Sequence, residues 1–300
     1  MEFNQLESFL SVVKHRSFSK AAKEIYITQP TISNNIRNLE KELQTTLLDR
    51  TSKTITLTEA GKIFYGYALE LINIRDKAKF DIMDHSEGIE GEIGISASSI
   101  PEQYVLPHII KDFIGRYPRI SFAITQKNSK DIIDDIMYGK ENFGIVGAKL
   151  SSRTLEYIDF YEDELVLAVP NNDRYPMAAD EALDLDFILS ERFLFRKENS
   201  GTRLFIEKCL SDKDISIDDL NIVSLLDSNE MIKKMIELDL GISFVSKVSI
   251  QNEIELGLIK PLRIEGLTLR RQFYFVYSKH RTLHPIVETF KDFLIEWRGM

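Results

Sequence analysis

The string QPTISNNIR holds Gln29, Pro30, Thr31, Ser33, Asn34 and Arg37, side chains whose types suit the edges and phosphates of a DNA duplex. A Gln amide reads adenine through two hydrogen bonds, Ser and Thr hydroxyls reach phosphate or either base edge, and Arg brings charge to the backbone. Arg50, Ser52 and Lys53 follow in DRTSKT and add ligands for phosphate or the minor groove. Arg50 also has a plainer reading, a salt bridge to a neighbour such as Asp49. A second chemistry lies in SASSIPEQ, residues 96–103, and ENSGTRLF, residues 198–205. There Ser98, Ser99, Ser200 and Thr202 offer hydroxyls where a strand runs into a helix, and Gly201 admits close backbone approach. The unpaired N–H groups of each helix start attract an anion. Asn128, before another helix, and Gly147, in a turn, could bring further groups near. Arg203 could bind the anion or pair with an acidic neighbour. For each hydroxyl alone, ordinary N-capping is the competing reading.

Placing the first set requires two helices joined by a tight turn over residues 18–43. Ala21, Ala22 and Ile25 give the first a small apolar face, and Ile32, Ile36, Leu39 and Leu43 give the second a stripe spaced four, three and four residues. At about 100° per residue, Pro30, Asn34, Arg37 and Lys41 lie opposite that stripe, with Thr31 and Ser33 on its flanks. Thr28 stands where an N-cap is wanted, and Pro30 costs little in a first turn. Such a helix buries one side and offers a polar, basic face to the major groove. Leu6, Phe9, Leu10 and Val13 predict a further helix beneath it. Lys53, Ile55 and Leu57 alternate with Thr54, Thr56 and Thr58, predicting a short hairpin, or wing, over residues 47–58.

The strings AAKEIYITQPTISNNIRNLEKEL and LLDRTSKTITLTEAG resemble the winged helix-turn-helix of LysR-type transcriptional regulators, and the likeness extends over the whole chain. Two departures stand out: Leu48 where the family often has Phe, and Asn34 and Asn35 where it often has basic residues. The resemblance implies a DNA-binding domain over residues 1–58, a linker helix over 59–88 that pairs two subunits, and an effector-binding domain over 89–300. The last resembles a periplasmic binding protein of two α/β subdomains (89–165 with 267–300, and 166–266), linked by crossovers near 166–171 and 264–269, with a ligand cleft between them.

Charge alone would not have pointed to DNA. The net charge is −9, and residues 1–60 hold eight Lys/Arg against seven Asp/Glu, leaving −10 for the remainder. Basic residues must therefore be clustered to attract phosphate. From Thr58 to about His85, Ala60, Phe64, Tyr67, Leu71, Ile74 and Ala78 fall in a four-three repeat, a coiled-coil seam. A second copy of the helix would cover it, giving at least a homodimer, unless the helix packs on its own chain. The resemblance implies a homotetramer beyond that, and RNA polymerase as a further partner.

Beyond the break SEGIEGEIG, strands and helices alternate, which predicts a mostly parallel α/β sheet. RKENSGTR and ASSIPEQYVLP resemble the branch of the family associated with sulfur and selenium assimilation, whose effectors include oxyanions and small sulfur metabolites. Enzymatic readings find little support: the five His lack metalloprotease spacing, and neither a GxSxG elbow nor a phosphate-binding GxxxxGK[ST] loop occurs. No catalytic residue, metal or cofactor is expected. His108 and His284 read as surface or capping residues. Cys209 is the single cysteine, so no intrachain disulfide forms, and it reads as a buried small apolar group. With no apolar run long enough to span a bilayer, a cytoplasmic regulator is expected. The alternative is a solute-binding or transferase-like α/β protein carrying an N-terminal interaction module.

Overall fold

The computed structural model describes residues 1–50, 55–82, 89–198 and 200–297. The head begins with α1 (Phe3–His15), α2 (Phe18–Glu24) and α3 (Gln29–Glu42). They close on a core in which Phe9, Val12, Ala21, Ile32, Ile36 and Leu39 are fully buried. Turn chemistry separates them: Arg16 turns left-handed (φ 49°) after α1, and the Ser17 hydroxyl caps α2 by accepting the Lys20 N–H. The wing is a two-rung antiparallel pair, β1 (Leu48–Asp49) with β2 (Thr56–Leu57). Leu48 is buried in the head core, so the smaller side chain fills the place the family often gives to Phe.

From Thr58, whose hydroxyl accepts the Gly61 N–H (2.9 Å) and donates to the Thr46 carbonyl (2.7 Å), α4 (Glu59–Ile82) sets off as a stalk. A Cβ on Gly61 would sit 2.0 Å from the Leu47 carbonyl oxygen, so only glycine lets the stalk pass the wing this closely. The stalk faces three ways. Ala60, Phe64, Ala68 and Leu71 pack on the head core, with the Phe64 ring 5.4 Å from that of Phe9. Asn73 donates to the Thr282 carbonyl (2.8 Å) and Lys77 pairs with Glu288 (2.9 Å), seating the helix on the C-terminal part of the chain. The third face leaves Ile63 (67% exposed), Tyr67 (64%), Ile74 (48%) and Ala78 in solvent. The expected seam is thus divided: Ala60, Phe64 and Leu71 are claimed by the head, which needs a fourth helix to close its core. Ile63 takes their place on the open face.

The first lobe follows with β3 (Glu90–Ala97), a π-turn (Pro101–Val105) running into α5 (Leu106–Arg116), β4 (Arg119–Gln126), α6 (Ser129–Met137) and β5 (Phe143–Val146). LEYIDF and ELVLAV form one strand, β6 (Leu155–Pro170), that carries the chain into the second lobe. That lobe holds β7 (Ala182–Leu183), α7 (Leu185–Ser190), β8 (Arg192–Arg196), α8 (Gly201–Ser211), β9 (Asn221–Leu226), α9 (Asn229–Glu237), β10 (Ser243–Ser246), α10 (Gln251–Glu255) and β11 (Ile259–Ile264). The chain returns through β12 (Arg270–Ser278) and ends on α11 (Pro285–Glu296).

Strands joined by helices are parallel, as expected: β3 with β4 and β5, β8 with β9. The sheet as a whole is mixed. The two crossing strands run in opposite directions, so β12 pairs antiparallel with β6 and β5, and β10 and β11 pair antiparallel with β6. Partners change at Glu164 and Leu165, where the Leu165 N–H donates to the Leu269 carbonyl (2.7 Å). Each lobe has its own core, Phe113, Phe273 and Phe290 in the first and Leu167, Phe193 and Phe244 in the second. No helix among the described residues is long and apolar enough to cross a membrane.

Candidate functional site

The first residue set gathers at the start of α3. The Thr28 hydroxyl accepts the Thr31 N–H (3.4 Å) and lies 2.8 Å from the Thr31 hydroxyl, so cap and first turn hold each other. Gln29, Pro30, Thr31, Asn34 and Arg37 are exposed on one face and Ser33 is half-buried on its flank. Asn35 turns the other way, its amide donating to the Ser8 hydroxyl (2.8 Å) and the Asn4 carbonyl (3.4 Å). It serves the α1–α3 contact, leaving Asn34 as the departure on the open face. Arg50 pairs with Glu40 (3.0 Å) and lies over the Phe18 ring, which corrects Asp49 as its carboxylate. Glu40 is the better anchor because its other oxygen already accepts the Leu47 and Leu48 N–H groups (2.9 and 3.2 Å), tying the wing to α3. Ser52 and Lys53 lie outside the described residues.

The second set meets between the lobes. The ends of β3 and β8 and the starts of α6 and α8 enclose a cavity of about 240 Å³, lined by Ser98, Ser99, Asn128, Gly147, Ser200, Gly201 and Thr202 together with Gln126, Lys127, Ser129, Arg196, Asp227, Arg271 and Phe273. Asn128 caps α6, accepting the Asp131 N–H (2.8 Å). The hydroxyls of Ser98 and Ser129 are buried without a hydrogen-bond partner among the described residues, a costly state that a bound acceptor relieves. A Cβ on Gly201 would come 3.1 Å from the Ser129 hydroxyl and 3.6 Å from the Gly147 carbonyl carbon, so glycine lets the two lobes meet here. The Asn229 amide donates to the Ser99 hydroxyl (3.4 Å) across the same gap.

Three cations reach the cavity. Lys127 is held by Asp135 (2.9 Å) and Glu141 (3.0 Å). Arg271 donates to Asp163 (2.8 Å) and to the Thr202 hydroxyl (3.1 Å), and burial pushes the Asp163 carboxyl up against the pull of that guanidinium. Arg196 bonds the Asn229 amide oxygen, but its Nε is buried with no partner among the described residues. Burial lowers the pKa of Arg196, and the neighbouring Arg271 adds to that, against the attraction of Asp227. Asp227 is itself paired with Lys197 (2.7 Å). The set offers a guanidinium N–H and two hydroxyls to one cavity, donors whose chemistry suits a small anion.

Arg203 is not in the cavity. It donates to Glu207 (2.7 Å) and the Arg196 carbonyl (3.2 Å), which resolves its two readings in favour of the acidic neighbour. The sequence reading missed Arg196, although it ends a strand in the same RKENSGTR string. Arg271 and Lys127 carried no local signal. Outside the site, His108 is exposed and the His284 imidazole caps α11 by accepting the Ile286 N–H, while Cys209 is half-buried and burial raises its thiol.

A helix-turn-helix head, a stalk, and two lobes around a polar cleft define a DNA-binding protein with a sensor for a small molecule. Residues 3–62 match the family described as "Bacterial regulatory helix-turn-helix protein, lysR family", and residues 86–299 match the "LysR substrate binding domain". An HTH-type transcriptional regulator of Methanocaldococcus jannaschii is 35% identical over 98% of both chains. The HTH-type transcriptional regulator CysL of Bacillus subtilis is 28% identical over 97% of this chain and 94% of its own. A probable RuBisCO transcriptional regulator of Cyanidioschyzon merolae is 30% identical over 96% and 95%. Among solved structures, full-length OxyR of Pseudomonas aeruginosa superposes with a TM-score of 0.79 at 15% identity, covering 100% of this chain and 99% of its own. Full-length CbnR complexed with its target DNA superposes with a TM-score of 0.58 at 19% identity, covering 99% of both. The chain belongs to the LysR family of transcriptional regulators, whose members bind DNA, respond to small effectors and are not enzymes.

Proposed function

We propose that this regulator is controlled by a small oxyanion, or a small sulfur or selenium metabolite bearing one, held in the cleft between its lobes. The observation that carries this reading is the buried trio of the Ser98 and Ser129 hydroxyls and the Arg196 Nε around one cavity, without hydrogen-bond partners among the described residues. A ligand without an acceptor charge would leave the Arg196 Nε desolvated and its cation only partly balanced by Asn229 and Asp227. The similarity to CysL supports a sulfur effector, while the similarity to a RuBisCO regulator of like identity supports a small anion of carbon assimilation as the second reading. Calorimetry with sulfate, sulfite, selenite and O-acetylserine is the test. Binding by at least one, lost when Ser98 is changed to Ala, is the expected result; no heat from any of the four would sink the sulfur and selenium reading.

On the DNA side, Gln29, Thr31, Ser33, Asn34 and Arg37 enter the major groove and Arg50 reaches phosphate from the wing. The protein works as a homodimer or higher assembly in the cytoplasm, with two stalks meeting along Ile63, Tyr67, Ile74 and Ala78. Head, stalk and effector domain divide at residues 58 and 88. Light scattering after size exclusion is expected to give at least a dimer, and Tyr67→Glu to weaken it.

A further inference from the structure

Between the cleft and the stalk lies a cation that the reading so far leaves unused. Arg281, in the segment after β12, lays its guanidinium against two glycines: a Cβ on Gly66 of the stalk would lie 2.9 Å from Nη2, and one on Gly139, in the loop after α6, 2.3 Å from the same nitrogen. Gly139 is left-handed (φ 77°), so the loop is shaped to admit the guanidinium. The Nη1 of Arg281 is buried and has no hydrogen-bond partner among the described residues. A buried guanidinium with an idle donor is a group awaiting an acceptor.

A carboxylate stands two residues beyond Gly139. Glu141 takes hydrogen bonds from the Ser96 hydroxyl (3.0 Å) and from Lys127 (3.0 Å), and Lys127 lines the cleft. Tyr65, the residue before Gly66, responds to both charges: burial raises its pKa most, Glu141 raises it further and Arg281 lowers it. Glu141, Arg281 and the stalk therefore share one electrostatic neighbourhood.

We infer that an anion in the cleft is reported to the stalk beneath the DNA-binding head by an exchange of partners at Glu141. This inference rests on the cleft taking an anion. With the cleft empty, Lys127 is divided between Asp135 and Glu141. A bound anion draws the Lys127 ammonium toward itself and weakens its hold on Glu141. The carboxylate then turns to the idle Nη1 of Arg281. That pull lifts the guanidinium from Gly66 and frees the stalk to move against the first lobe, a population shift between two seatings of α4. Only hydrogen bonds and ion pairs are exchanged, and no proton needs to move.

The exchange can be forced without any ligand. In the full-length protein, Lys127→Met removes the competitor for Glu141, and amide exchange over residues 62–72 is expected to accelerate at least threefold. Lys127→Arg keeps the charge and is expected to exchange like the wild type. Arg281→Gln removes the receiver, so Lys127→Met/Arg281→Gln is expected to match Arg281→Gln alone. Acceleration below threefold in Lys127→Met, equal acceleration in Lys127→Arg, or a double variant as fast as Lys127→Met would each overturn the relay. Thermal unfolding of every variant confirms that the lobes remain folded. Calorimetry with sulfate is run in parallel on the wild type and Arg281→Gln: binding kept within threefold is expected, because Arg281 does not line the cleft, whereas a tenfold loss would overturn its role as a receiver outside the binding site. Absence of sulfate binding in both counts against sulfate as the effector alone, since the exchange experiment needs no ligand.

Discussion

The groove face of α3 and the cleft between the lobes are made from the same ingredients, Ser, Thr, Asn and Arg at helix starts, yet they end in opposite states. At α3 the cap is satisfied by its own first turn and the remaining side chains stand in water, ready for a large partner that brings its own surface. In the cleft, tertiary packing has buried the Ser98 and Ser129 hydroxyls and the Arg196 Nε without giving them a hydrogen-bond partner among the described residues. A convex set can lose members and still be stable, because each exposed group keeps its water. A concave set is costly until filled, and this makes it responsive to a small ligand.

The largest effect is expected where the cleft is most buried. Arg271→Met strands the carboxylate of Asp163, which is 1% exposed, and is expected to cost about 3–5 kcal/mol in urea unfolding. Arg271→Met/Asp163→Leu should recover most of that, since replacing both charges removes the stranded group. No groove-face substitution should approach this cost. Failure of the double variant to recover would mean that the Thr202 contact, and not the stranded charge, sets the stability.

Next is Arg196→Met, expected to weaken binding of the proposed anionic effector by about 10- to 100-fold, the worth of a charged hydrogen bond in a desolvated site. Calorimetry reads it directly, and the urea midpoint is expected to shift little, because relief of the buried cation is offset by loss of its bond to Asn229. On the convex side, Gln29→Ala should relax base preference at one operator position by about 1–3 kcal/mol. Arg50→Met should weaken all sequences alike and lower the salt slope of binding by about one. Equal loss across all sequences for Gln29→Ala would remove it from base reading.

How far each region was legible follows from where its contacts come from. The stripe Ile32, Ile36, Leu39 lies within one helix, and the opposite face could be read off by rotation alone. The Ser98, Ser99, Gly201 and Thr202 group was found because strand-to-helix junctions leave a local trace. Arg271 and Lys127 left none, since one comes from the returning strand and the other follows an edge strand, and only topology brings them together. The stalk shows the same limit: Phe64 and Leu71 fit the repeat, but a repeat does not say which partner an apolar residue will find, and the head core took them. Arg203 stood open between an anion and an acidic neighbour until the helix fixed its direction toward Glu207.

The smallest effect tests whether the head's polar groups are as fully satisfied as its cap. Glu24, at the end of α2, receives Lys14 (2.6 Å) and the Ser11 hydroxyl, with the His15 Nε2 lying 3.0 Å from it, all from α1. Partial burial pushes its carboxyl up, but hydrogen bonds from Lys14 and Ser11 and the nearby His15 outweigh it and bring the pKa down to about 2. A carboxylate whose folded pKa lies below its unfolded value stabilises the head at pH above about 4.5, and that contribution fades as pH falls from there through 2. Because the cluster is partly solvated, its worth at neutral pH is about 1 kcal/mol. Glu24→Gln should therefore speed amide exchange across α1 and α2 at pH 7 by about fivefold, and the difference from the wild type should close on acidification toward pH 2. Exchange in α8 and α9, which frame the cleft, should not respond to this substitution at any pH. A variant whose deficit persists unchanged at pH 2 would locate the loss in packing and not in charge.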